Sequence, residues 1–113
     1  MSTRSLETLD RILERGGEPD DVLRAATAAL GDEPTVAWAG IAFLEEGDLV
    51  LGPSAGEPDE TRRTRVPIAY QGDPVGELWV DGEADQRFLE QIAVRIAAHV
   101  LIGWDTRGEG WEP

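Results

Sequence analysis

Val36-Ala-Trp-Ala-Gly-Ile-Ala-Phe-Leu44, Glu45-Glu-Gly-Asp48 and Leu49-Val-Leu-Gly-Pro53 read as a strand, a hairpin turn and a return strand. Gly47 supplies the positive φ that such a turn needs. Gly52-Pro53 is expected to end the return strand, because proline cannot donate to a ladder. Ser54–Thr61 is polar and rich in Gly and Pro, and reads as a connector of only about eight residues. A second pair follows, Arg62–Tyr70 and Val75–Asp81, with Gln71-Gly72-Asp73 as the turn. Arg62–Tyr70 alternates with period two, which marks a strand with one buried face.

Helices flank these strands. Leu6, Leu9, Ile12 and Leu13 recur at helical spacing and Gly16-Gly17 stops the run. This first helix, within residues 1–17, is expected as a short pendant arm. Pro19 suits a helix start, and Asp20 and Asp21 suit the positive end of the dipole. Val22, Leu23, Ala26, Ala29 and Leu30 make one stripe, with Gly31 as the capping glycine. The longest helix is expected over Asp85–Ile102. Phe88, Leu89, Ile92, Ile96 and Val100 form its core stripe, while Val94, Ala98 and Leu101 form a second, flatter face. Residues 103–113 are Gly-rich and acidic and read as a flexible tail. The pattern is α+β, a four-stranded antiparallel sheet with helices packed on one face, in a single domain over residues 1–113 with its core at 19–102.

The 113 residues carry a net charge of −13 and no cysteine. That field repels phosphate backbones and anionic lipid, so nucleic acid and membrane surfaces are not expected as partners. No apolar run is long enough to span a bilayer. Met1–Glu7 has no apolar h-region, so a cytoplasmic location is expected. Without cysteine there is no disulfide, no thiol chemistry and no Cys-based metal site.

Ala37, Ala39, Ile41 and Phe43, with Val66, Ile68, Leu78 and Val80, should face the helices. The opposite face then carries Trp38, Ala42, Arg63, Arg65, Glu77, Trp79 and Asp81. If Val66 lies across from Leu78, Arg65 falls opposite Trp79 and Arg63 opposite Asp81. That register requires an odd-length turn between the third and fourth strands; an even one swaps the sets. Burying one Trp removes roughly 200 Å² from water, on the order of 5 kcal/mol as an upper figure. The two tryptophans should therefore be covered by a ligand, a second chain, the Ser54–Thr61 loop, or the tail with Trp104 and Trp111.

The segments Trp38-Ala-Gly-Ile-Ala-Phe-Leu, Leu49-Val-Leu-Gly-Pro-Ser-Ala-Gly-Glu-Pro, Arg65-Val-Pro-Ile and Val75-Gly-Glu-Leu-Trp-Val-Asp together resemble the GAF domain. The likeness is to its free methionine-R-sulfoxide reductases and covers about residues 19–102. It implies the strand order 2-1-4-3 and a substrate pocket floored by the sheet face that bears Trp38. In those reductases several tens of residues between the second and third strands build the lid and carry the reactive cysteines. This chain has neither. The family's last strand reads Leu-Asp-Ile-Asp, with two carboxylates that hold the substrate; here Leu78-Trp79-Val80-Asp81 keeps one acid and puts Trp79 in place of the other. Without a thiolate, sulfoxide reduction by that route is excluded.

What remains is a non-catalytic sensory or interaction module, expected as a homodimer, with no catalytic residue, no metal and no cofactor. Leu6, Leu9 and Leu13 with Val94, Ala98 and Leu101 are the candidate dimer seam. The alternative is a small-molecule binder using Trp38, Arg65, Glu77, Trp79 and Asp81. A residual enzyme using those carboxylates ranks last, since Arg63 and Arg65 nearby suit a solvated ion-pair ladder. His99, the single histidine, reads as a packing or surface residue.

Overall fold

In the computed structural model the described backbone covers residues 3–109, and the described side chains residues 7–101. The chain runs α1 (Thr3–Arg15), α2 (Pro19–Gly31), β1 (Val36–Glu45), β2 (Asp48–Gly56), a single 3-10 turn (Glu60–Arg62), β3 (Arg63–Tyr70), β4 (Asp73–Gly82) and α3 (Gln86–Glu109). The four strands form one antiparallel sheet in the order β2-β1-β4-β3. α2 packs over β1 and β2, and α3 over β3 and β4.

The core lies between the helices and one sheet face. Leu23, Ala26 and Leu30 of α2 meet Ala39, Ile41 and Phe43 of β1 there, and Phe88, Leu89, Ile92, Ile96 and Val100 of α3 join them. All five residues expected as the α3 core stripe are buried. Thr27 is the buried polar residue of α2; its hydroxyl donates to the carbonyls of Leu23 or Arg24, 3.2 and 2.9 Å away.

Three irregularities set which side chains face the core. Both hairpins close with two-residue turns, Glu46-Gly47 and Gln71-Gly72, in which both residues have positive φ. This turn matches the twist of paired strands. The second turn is therefore even, not the three residues expected. A bulge restores the odd count: Ile68 pairs with Gly76 but Ala69 with Pro74, leaving Val75 as the extra residue. Val66 thus lies opposite Leu78, Arg65 opposite Trp79 and Arg63 opposite Asp81. A second bulge corrects the inward set at the start of β1. Val36 pairs with Gly82 and Trp38 with Asp81, so Ala37 is the inserted residue. Val36 enters the core where Ala37 was expected.

The third irregularity corrects the end of β2. Gly52-Pro53 is a bulge rather than a terminus, since pairing resumes with Ser54 opposite Gly40 and continues to Gly56 opposite Trp38. An edge strand tolerates proline at such a point. The connector shrinks accordingly to residues 57–62.

The helices differ from expectation in three places. Gly31 does not cap α2 with a left-handed turn; the helix ends on Asp32 in right-handed conformation. The glycine instead lets α2 approach β2, since a Cβ there would sit 3.3 Å from Ala55 Cβ. α1 is no pendant arm. It packs on α2, Leu9 is only 3% exposed within the core, and Asp10 accepts a hydrogen bond from Arg95 Nε of α3 at 3.0 Å. α3 begins after Asp85, whose carboxylate caps the Arg87 amide at 3.1 Å, and continues past Ile102 to Glu109. Among the described residues, no helix is long and apolar enough to cross a membrane.

Candidate functional site

The sheet face turned away from the helices gathers all five expected ligand residues. Its rows follow from pairing. Gly56, Trp38, Asp81 and Arg63 make one row; Ser54, Gly40, Trp79 and Arg65 make the next; Leu51, Ala42, Glu77 and Pro67 make a third.

Asp81 is the centre of the first row and is fully buried. Arg63 meets it with a two-pronged contact, Nε to Oδ1 at 2.8 Å and the terminal nitrogen to Oδ2 at 3.0 Å. The Asp59 amide donates to Oδ2 at 2.7 Å and so ties the connector to the sheet. Burial pushes the Asp81 carboxyl upward, but the hydrogen bonds from Arg63 and the Asp59 amide, with the charge of Arg63, outweigh it and hold the group below its usual value. The Arg63 guanidinium is held above its ordinary value, chiefly by its hydrogen bond to Asp81.

The same guanidinium touches both indoles. Its central carbon lies 4.7 Å from the Trp38 ring centroid and 5.1 Å from that of Trp79. Its side chain is only 16% exposed, so these contacts fall in the desolvated range of cation–π strength, about 2 kcal/mol. Arg65 stacks on Trp79 with its central carbon 4.4 Å from the ring centroid. The Trp79 Nε1–H donates to Glu77 at 2.7 Å, and Arg65 approaches Glu77 at 3.7 Å.

Trp38 is 4% exposed, and the cover comes from the chain itself. Its ring leans along β1 over Gly40. A Cβ on Gly40 would lie 2.5 Å from Trp38 Cη2 and 3.1 Å from Leu51 Cδ1, so only glycine admits the ring tip here. Of the covers considered for the tryptophans, the tail with Trp104 and Trp111 lies outside the described side chains; the side chain seen against both rings is Arg63 of β3.

Three residues matter here that the candidate set omitted: Arg63, Gly40 and Asp59. Arg63 was legible as the cross-strand partner of Asp81. Gly40, two residues after a tryptophan in a strand, carried a signal for close approach. Asp59 acts through its backbone and had none.

The candidate seam residues separate. Leu9 lies in the core and is not free to meet a second chain, while Leu13 is partly buried and packs against that core. Leu6 is outside the described side chains. Val94 is 76% exposed, flanked by Arg87, Glu90 and Gln91, whereas Ala98 and Leu101 are half-buried. His99 is half-buried, with Nδ1 unpartnered among the described residues. No cluster of three potential metal ligands occurs among the described residues. A cleft of about 290 Å³ lies by the β2 bulge, lined by Asp20, Arg24, Phe43, Leu51, Gly52 and Pro53. None of the expected ligand residues lines it.

Comparison with solved structures gives the fold its name. The GAF domain of an Acinetobacter phosphoenolpyruvate-protein phosphotransferase superposes with a TM-score of 0.70 at 18% identity, over 96% of this chain and 99% of that one. The chain has a GAF-like fold. The fRMsr of Staphylococcus aureus in complex with substrate matches with a TM-score of 0.71 at 20% identity, over 87% of this chain and 94% of that one. A type II free methionine-R-sulfoxide reductase from Thermoplasma acidophilum gives 0.63 at 22% identity, over 73% and 92%. No family model and no curated protein matches the sequence. At these identities the likeness establishes the GAF-like fold and its strand order, not an activity.

Proposed function

We propose that the chain is a non-catalytic GAF-like module that works by association, as a cytoplasmic homodimer, rather than by turning over a bound molecule. One observation carries this reading: Trp38, Arg63 and Asp81 close the sheet face with the chain's own side chains. The absence of cysteine from the sequence supports it, since neither thiolate attack nor disulfide formation is available.

Val94 is the residue best placed for a seam. A valine 76% exposed on the longest helix forgoes burial that a second copy of α3 could supply. Light scattering at high micromolar concentration should give twice the 12.3 kDa chain mass, and Val94→Glu should give a single chain. A single-chain mass for the unaltered protein would remove the dimer. Incubation with free methionine-R-sulfoxide and a thiol reductant should consume no more sulfoxide than the buffer blank. Turnover above that blank would return the chain to the enzymes.

A second reading, small-molecule binding, is favoured by the half-exposed Trp79 and the exposed Arg65 stacked on it. It requires tryptophan emission to shift saturably with a ligand in the unaltered protein.

A further inference from the structure

We infer that the outer sheet face is a cation-binding box built for a guanidinium, and that Arg63 is its built-in ligand. The inference rests on the closed face described under the proposed function and names what that face recognises.

The geometry has the parts such a site needs. A guanidinium is planar and presents parallel donors, and a carboxylate meets it best through two contacts. Asp81 supplies them at 2.8 and 3.0 Å. A weakly hydrated cation is also attracted by indole faces, and two lie within 5.1 Å of its central carbon. The surroundings hold this arrangement independently of Arg63. Asp81 is oriented by the Asp59 amide at 2.7 Å. Trp79 is fixed by its hydrogen bond to Glu77, and Trp38 by its seat on Gly40.

Arg65 gives an internal contrast. It also stacks on Trp79, but its nearest carboxylate, Glu77, is 3.7 Å away and its side chain is 54% exposed. Two arginines thus lie on one face, and only one sits in a carboxylate fork between the rings. Removing Arg63 leaves a fully buried carboxylate without its counter-ion, and a small cation of the same shape should fill the vacancy.

The test is rescue in trans. Arg63→Ala should have a lowered Tm, and millimolar methylguanidinium should raise it saturably, with equal sodium chloride as the reference. The indole N–H signals of Trp38 and Trp79 should move with the same saturation. Arg65→Ala should show no such rescue, and Arg63→Ala with Asp81→Asn should lose it. Should Arg63→Ala be unfolded alone, methylguanidinium-dependent refolding supports the box. No saturable response in a folded Arg63→Ala protein overturns it. So does failure to refold together with an Arg63 Nε–H that exchanges as fast as that of Arg65 in the unaltered chain. Sulfoxide turnover or ligand binding by the unaltered chain would instead defeat the closed-face reading, so the two failures are separable.

Discussion

Asp81 is the residue on which the outer sheet face is centred. Its carboxylate is fully buried, and Arg63 and the Asp59 amide between them engage both its oxygens. Asp81→Asn should cost about 3 kcal/mol, because the change leaves the Arg63 charge nearly buried and unpaired; denaturant unfolding measures it. The pH dependence follows from the lowered carboxyl value. Stability from this group is fully present above the unfolded value of about 3.9 and is lost as pH falls through the lower folded value. Asp81→Asn should lack that component, so the stability gap between the two proteins should narrow below about pH 4. Gly40→Ala tests the neighbouring contact. A methyl 2.5 Å from Trp38 Cη2 must displace the ring, at about 1–3 kcal/mol, with red-shifted tryptophan emission as the reporter.

Among the elements, α1 and β4 teach most. The sequence marked α1 by its apolar spacing, but no local signal distinguished a free arm from a docked helix. Leu9 and the Arg95–Asp10 contact decide it, and both depend on residues far apart in the chain. Leu9→Ala should therefore cost about 2–5 kcal/mol in equilibrium unfolding, as for a core leucine rather than a surface one. In β4 the alternation showed which residues share a face but not which face is inward. A two-residue turn at Gln71-Gly72 alone would have inverted the sheet's sides; the extra residue at Val75 corrects it. Bulges insert a residue with no compositional mark of their own. The one at Ala37 was missed for that reason, whereas Gly52-Pro53 was marked by its composition but read as a strand end instead of a bulge. The α3 stripe was legible because Phe88 to Val100 repeat the same signal over about three and a half turns.

At the scale of the whole molecule, a GAF-like sheet has its second and third strands joined by residues 57–62 alone. An arginine from β3 reaches across β4 to cover the indole of Trp38 on β1. The remainder of the surface is strongly acidic, with a net charge of −13. Self-repulsion at neutral pH should make Tm rise with added salt, as charges beyond about 8 Å are screened at 0.15 M. Association through Val94 should tighten under the same conditions, measured by sedimentation. The proposed function requires the face away from the helices to be complete without any foreign molecule. A crystal structure of protein purified from cells with no ligand added tests this directly. It should show Arg63 forked on Asp81 against both indoles with no other density there; a bound molecule between Trp38 and Trp79, with Arg63 turned outward, would contradict the account.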